Sequence, residues 1–216
     1  RAKFITLKKS DGDFLNYLEG TFSQEQIALP TQNLNVNTGT EEVTFQIFPK
    51  QSISKPHWPV LLFRLFRWEW LSLSMGPVLA TLSYLIVTGA NLDTFNTCLA
   101  VLAILLFHSA VFAINDYKDH LRGVDRLTIK GGSQVIQKGW MAAHKVRRIG
   151  MSFFGLGAVL GVYLIAQQPF FLIAVALCTA VAVLGYSFYG QGLKYLGFGE
   201  LVAFFCFGPL MTYGFS

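Results

Sequence analysis

Residues 94–115 read TFNTCLAVLAILLFHSAVFAIN, without a single Asp, Glu, Lys or Arg. Roughly 20 apolar residues carry an α-helix across the hydrocarbon of a bilayer, so this run is long enough to be a membrane span. Segments 71–90, 149–168 and 169–193 are equally free of charge, and 201–216 is a shorter apolar run. In hydrocarbon every backbone N–H and C=O must find a partner within the protein, which leaves helices and closed barrels. The runs lack the period-two alternation of barrel strands, so they predict helices. The expected fold class is therefore all-α, a polytopic transmembrane helical bundle, preceded by a short soluble segment.

Composition agrees with this reading. Apolar residues make up 53% of the chain, charged residues 13%, and mean hydropathy is +0.46, whereas soluble domains carry about 25% charged residues. Cys98, Cys178 and Cys206 all fall inside expected spans. They read as small buried apolar residues rather than a disulfide framework or metal site. With no cleavable signal peptide ahead of it, the first span is expected to direct insertion. The sequence starts at Arg1 and reaches Ser216 within an apolar run, and so reads as a fragment of a longer protein.

The formal net charge of +5 is unevenly distributed. Lys55, Arg64 and Arg67 precede the first span. Lys118, Arg122, Arg126, Lys130, Lys138, Lys145, Arg147 and Arg148 cluster between the second and third, and Lys194 lies between the fourth and fifth. The alternate connections, at 91–93 and 167–169, contain no Lys or Arg. The positive-inside rule thus places the N-terminal arm, the charged loop and Lys194 on the cytoplasmic face, and the expected location is a plasma (inner) membrane. Some of these lysines have the simpler role of meeting anionic lipid headgroups. A nucleic-acid-binding role would need a basic face with accessible aromatics, which a lipid-facing composition excludes.

Residues 1–57 form the expected soluble segment, and 58–216 part of a membrane domain. Within the former, NLNVNTGTEEVTFQIFPK (33–50) alternates polar and apolar residues and predicts a strand or two after a turn at Thr38-Gly39. The segment is too short to bury much core by itself. No chemistry is evident in it.

Where the second span ends, the chain continues INDYKDHLRGVDRLTIKGGSQVIQKG (114–139). Asp116 and Asp119 share a helix face, and Asn115, four residues before Asp119, joins it. His108 continues the stripe two turns into the membrane; a helix–helix hydrogen bond is its expected role. Two neighbouring carboxylates repel unless a cation lies between them. Mg²⁺ suits them, since it takes hard oxygen ligands, usually one or two carboxylates together with substrate phosphates. The alternative is a solvated helix end whose acids pair with Lys118 and Arg122, where exposed pairs contribute only a few tenths of a kcal/mol. The glycine-rich GGSQVIQKG (131–139) favours the first reading, because its backbone N–H groups can approach an anion. Arg122, Arg126, Lys130 and Lys138 supply positive charge for a diphosphate. Glu200 reads either as a helix N-terminal acid or as a partner for Lys194, and His57, His120 and His144 show no zinc-ligand spacing.

NDYKDHLRGVD (115–125) resembles the first aspartate-rich motif of the UbiA superfamily of intramembrane prenyltransferases. The usual form is N-D-x-x-D-x-x-x-D; here Gly123 occupies the last Asp position and Asp125 follows it. This version, with the GGSQVIQKG stretch after it, is similar to the 1,4-dihydroxy-2-naphthoate polyprenyltransferase branch, which makes a menaquinone precursor. YLGFGELVAFFCFGP (195–209) looks like the same branch. The resemblance runs from about residue 64 to 216 and implies a nine-helix bundle with a second aspartate motif between helices six and seven, beyond the present sequence; the segment alone is expected to be inactive.

The resemblance also implies roles. Asn115, Asp116 and Asp119 would bind Mg²⁺–diphosphate, with Asp125 completing the motif. Tyr186 and Lys194 would lie near the diphosphate, Lys194 with a catalytic part alongside Asp116 and Asp119. Arg67 would stand near the acceptor. The partners implied are a polyprenyl diphosphate, an aromatic acceptor and membrane lipid. Electrostatic stabilisation of the departing diphosphate leaves an allylic cation, shielded from water by the helices. Tyr186, Phe188 and Tyr189 read either as aromatic faces for that cation or as an interfacial belt. Gly155, Gly157 and Gly161 are expected to permit close helix packing.

Two rival readings remain. One changes the acceptor to 4-hydroxybenzoate, homogentisate or a lipid. The other is a transporter or lipid-binding protein using the acids as a cation site, although transporters place such groups near the midplane. A soluble prenyl-diphosphate synthase is excluded by the uncharged spans.

Overall fold

A computed structural model describes residues 3–31, 42–123, 132–167 and 173. Two compact units are present, Arg1–Trp68 with Ser109–Phe153 and Glu69–His108 with Phe154–Ser216.

The first unit opens with β1 (Lys3–Lys8), α1 (Phe14–Glu19), β2 (Gln26–Pro30) and β3 (Glu42–Pro49). The strands form an antiparallel sheet in the order β1-β3-β2, with Phe45 opposite both Ile5 and Pro30. β3 is central and alternates cleanly. Val43, Phe45 and Ile47 are buried on one face while the residues between them stay more exposed, the expected pattern for a half-buried strand. Phe14 and Leu18 are four residues apart on α1 and turn the same side inward, Phe14 meeting the Phe45 ring edge-on at 5.9 Å. Leu121 from a later helix packs against this small core. Helix α1 closes at Gly20, whose φ of 74° is the left-handed conformation that terminates helices.

Next comes α2 (Trp58–Leu65), its Pro59 in the first turn where a missing N–H costs nothing. Leu61 and Leu65 are buried with Phe66, Ala113, Val135, Ile136, Met141 and Val146 in the unit's larger core. α4 (Thr94–Arg122) contributes its charged end to this unit, and α5 (Ala143–Gln167) its first turns. These two helices approach closely. A Cβ at Gly150 would come within 2.9 Å of Ile114 and 3.3 Å of Ala113.

The second unit holds α3 (Leu71–Val87), the first part of α4 and the later part of α5. Ser74, Val78 and Thr81 form the buried stripe of α3. Ser74 Oγ hydrogen-bonds His108 Nδ1 at 2.8 Å, joining α3 to α4, which is the expected helix–helix role for His108. Pro77 sits inside α3 and has no N–H to give, and Thr81 Oγ1 donates to its carbonyl at 2.9 Å. Phe107 meets Phe154 edge-on at 5.6 Å, and its ring lies 3.3 Å from where a Gly157 Cβ would stand.

Among the described residues, three helical segments, Trp68–Val87, Thr94–Arg122 and Ala143–Gln167, are long and apolar enough to cross a membrane. Leu79, Ile86, Val87, Phe95, Leu102, Leu156, Val159 and Val162 point outward from them. So much exposed aliphatic surface is unfavourable in water and suits lipid. The expected spans at 169–193 and 201–216, with Cys178 and Cys206, lie outside the described residues, as does the turn at Thr38-Gly39.

One expectation needs correction. Cys98 is exposed, not buried, and reads as a lipid-facing residue. Of the glycines expected to aid packing on α5, Gly157 faces the Phe107 ring, Gly155 and Gly161 meet no neighbour among the described residues, and Gly150 makes a closer helix contact. As the shared helix face of Asn115, Asp116 and Asp119 requires, α4 continues past the apolar run through Arg122. At 1.5 Å per residue its 29 residues extend about 44 Å, so its charged end clears the roughly 30 Å of hydrocarbon.

Candidate functional site

The last two turns of α4 bring Asn115, Asp116 and Asp119 to one face, as the spacing requires. Asn115 Nδ2 donates to Asp119 Oδ2 at 2.9 Å. Asp116 is 2% exposed and Asp119 5%. Carboxylates removed from water to this degree need partners, and those of Asp116 come from two directions. Arg67 Nη2 donates to Oδ1 at 2.6 Å, a short charge-assisted contact. The backbone N–H of Ser133 donates to Oδ2 at 3.1 Å. Expectation gave the glycine-rich loop a role in presenting N–H groups to an anion; here the anion is the side chain of Asp116.

Sequence and backbone together explain how these partners arrive. Arg67 lies just ahead of the first span with φ at 49°, an uncommon conformation for a residue with a side chain. Its guanidinium stacks over Phe112, one turn below Asp116, at 5.2 Å. Its Nε–H is buried and has no hydrogen-bond partner among the described residues. The loop is shaped by positive φ at Gly132, Gln134 and Gly139. Ser133 Oγ accepts from Val135 N–H at 3.3 Å, and Val135 and Ile136 are buried in the core, pinning the loop beside α4. At Gly139 the φ of 67° disfavours any side chain, and a Cβ would in addition stand 2.7 Å from the Ile53 side-chain tip, which would have to shift.

The expected basic residues divide. Arg67 reaches the acidic face directly. Arg122 ends α4, one turn beyond Asp119. Lys138 places its ammonium 4.8 Å from the centre of the Trp140 ring, which it shares with Arg64 at 5.5 Å. Asp125, Arg126, Lys130, Tyr186, Lys194 and Glu200, with Phe188 and Tyr189, lie outside the described residues. Among the described residues no three His, Cys, Asp or Glu side chains converge as a metal cage. Two carboxylates on one face still match the donor type and number of Mg²⁺, which fills its shell with water and substrate oxygens.

Sequence reasoning did not foresee a second polar cluster beside the acidic face. Tyr117 donates its hydroxyl to Glu19 Oε1 at 2.5 Å, and Arg147 Nη1 reaches the same oxygen at 3.2 Å. The only hint was the polar content of 117–120, which reads equally well as a solvated helix end.

Comparison with known proteins bears on the site. A profile described as the UbiA prenyltransferase family matches residues 74–216. A protein named 1,4-dihydroxy-2-naphthoate octaprenyltransferase from Mycobacterium tuberculosis (strain ATCC 25618 / H37Rv) is 32% identical over 121 residues, 53% of this chain and 40% of that protein. A Bacillus subtilis (strain 168) protein of the same name is 27% identical over 154 residues, 70% of this chain and 49% of its own length. UbiA prenyltransferase domain-containing protein 1 from Rattus norvegicus is 31% identical over 110 residues, 50% of this chain and 32% of that protein. The chain thus spans less than half the length of each of these relatives. No solved structure matches it.

Proposed function

The chain belongs to the UbiA prenyltransferase family, and from that premise we propose that the whole protein transfers a polyprenyl group from its diphosphate to an aromatic ring. 1,4-Dihydroxy-2-naphthoate is the acceptor we favour, with menaquinone biosynthesis as the context. The glycine-bearing aspartate motif supports this acceptor, as do two relatives that carry its name. The observation that carries the proposal is the pair of buried carboxylates, Asp116 and Asp119, on one face at the charged end of a membrane-long helix.

In this reading Asp116 and Asp119 hold Mg²⁺–diphosphate, with Asn115 orienting Asp119 and Asp125 completing the motif. Bound Mg²⁺ would neutralise charge gathering on the leaving diphosphate. Arg67, whose Nε–H has no described partner, is a ready donor to an anionic group, and Arg122, Arg126, Lys130 and Lys138 add positive potential. Lys194 and Tyr186 would act on the diphosphate as well, a role that the family resemblance implies. The allylic C–O bond breaks with its electron pair going to the diphosphate. A ring carbon of the acceptor then bonds to the allylic carbon, and the ring regains aromaticity when that carbon releases a proton, or its carboxylate as carbon dioxide, leaving the bonding electrons in the ring. Apolar helix walls keep water from the cation.

Residues 1–57 are a membrane-external segment and 58–216 part of the membrane domain; the N-terminus and charged loops face the cytoplasm at the plasma membrane. Positive-inside asymmetry supports that orientation.

The test is prenyl transfer in membranes carrying the whole protein, with naphthoate, 4-hydroxybenzoate and homogentisate acceptors offered separately. The expected outcome is a prenylated naphthoate product, and a fall of about 100-fold or more in Asp116→Asn with insertion retained. A different preferred acceptor would overturn the naphthoate assignment, and undiminished transfer by Asp116→Asn would overturn the site.

A further inference from the structure

We infer that the N-terminal segment positions the aspartate-bearing end of α4, and that Glu19 is its positioning residue. The inference rests on the prenyltransferase reading for its consequence, but its geometry stands apart. Residues before 74 lie outside the family match, so this segment is an addition to what that match covers.

The contact is concentrated at the end of α1. Glu19 Oε1 accepts from Tyr117 of α4 at 2.5 Å and from Arg147 of α5 at 3.2 Å. Its backbone carbonyl accepts from His144 Nδ1 at 3.0 Å, and the adjacent Leu18 carbonyl from His120 Nε2 at 3.0 Å. The last carbonyls of any helix lack intrahelical partners; here side chains of α4 and α5 provide them. Arg147 Nη1 also reaches Tyr117 Oη at 3.2 Å, closing a triangle. Gly20 permits this approach, since a Cβ there would stand 3.0 Å from that of Ala142, while its φ of 74° already favours glycine.

Helical geometry connects the triangle to the acidic face. Successive residues turn by about 100°, so Tyr117 and His120 occupy the face of α4 neighbouring that of Asp116 and Asp119, within the same two turns. Fixing Tyr117 and His120 from outside sets the rotation of α4. That rotation decides whether Asp116 meets Arg67 and Ser133 N–H. Leu121 is packed with the N-terminal core and adds an apolar hold on the same side. The exposed half of the arrangement, Arg147 with Glu19, contributes little alone. The buried Tyr117 and His120 bonds make it directional.

The test uses the whole protein in nanodiscs, comparing wild type with Glu19→Gln and Tyr117→Phe, each of which alters few atoms. Two quantities are read: affinity for inorganic pyrophosphate with Mg²⁺ by calorimetry, and amide hydrogen exchange along α3, α4 and α5. Loss of a direct outer partner of a ligating group typically lowers affinity by 10- to 100-fold, and Glu19 acts one step further out, through the rotation of α4, so the lower end applies. We expect about tenfold weaker pyrophosphate binding, with faster exchange confined to residues 115–122. Wild-type affinity and exchange in both variants would overturn the inference. Exchange raised equally along all three helices would also overturn it, because that marks general loss of stability. If wild type binds no Mg²⁺–pyrophosphate, the prenyltransferase reading fails instead, and the exchange pattern alone decides whether Glu19 sets α4.

Discussion

Asp116 accepts one hydrogen bond on each carboxylate oxygen, from Arg67 and from Ser133 N–H, in a place almost closed to solvent. Removing one member of a buried ion pair costs about 3–5 kcal/mol, because it leaves the other charge unpaired. Arg67→Ala should therefore destabilise the protein by about 3 kcal/mol, read as a lower unfolding temperature in detergent. Arg67→Lys should recover only part of this, since an ammonium cannot both reach Oδ1 and stack flat on Phe112. Equal stability of all three proteins would refute the pairing. At this scale the sequence was informative about the acidic side chains and silent about their partners. Asn115, Asp116 and Asp119 fall on one face by periodicity alone. That Arg67 lies on Asp116 depends on a contact between segments 49 residues apart, which spacing along the chain does not encode, and Lys138 turns instead to Trp140, a ring it shares with the distant Arg64.

Among the elements, apolar runs of membrane length were the clearest signal, and α3, α4 and α5 emerge from them. Their ends were less legible. Asp116 to Arg122 are mostly polar yet continue α4, because helical backbone persists past the lipid where buried contacts hold it. In the N-terminal segment the central strand β3 was readable and its neighbours were not. Both edges of β3 are paired and one face is buried, so its alternation is strong; β1 and β2 are edge strands with weaker burial contrast, and α1 is only six residues long. Glycine on a helix shows that close approach is permitted, without showing which glycine faces the neighbour. Gly150 does, against Ala113 and Ile114. Gly150→Leu should cost about 1–3 kcal/mol by overpacking, while Gly155→Leu should leave the unfolding temperature nearly unchanged. The reverse ranking would show that α4 and α5 meet elsewhere.

For the molecule as a whole, a small sheet-bearing segment and a membrane domain share residues. Leu121 packs against both the N-terminal core and the larger helical core, so the segment that is too short to bury much core by itself completes it on α4. The central proposal, that this face holds a magnesium diphosphate, draws on family membership, the buried acidic face and the neighbouring basic residues. Calorimetric titration of the whole protein in nanodiscs with an isoprenyl diphosphate, with and without Mg²⁺, tests that claim most directly. Saturable binding that requires the divalent ion and falls by about 10- to 100-fold in Asp119→Asn is the predicted result. Binding that ignores both the metal and the substitution would contradict it.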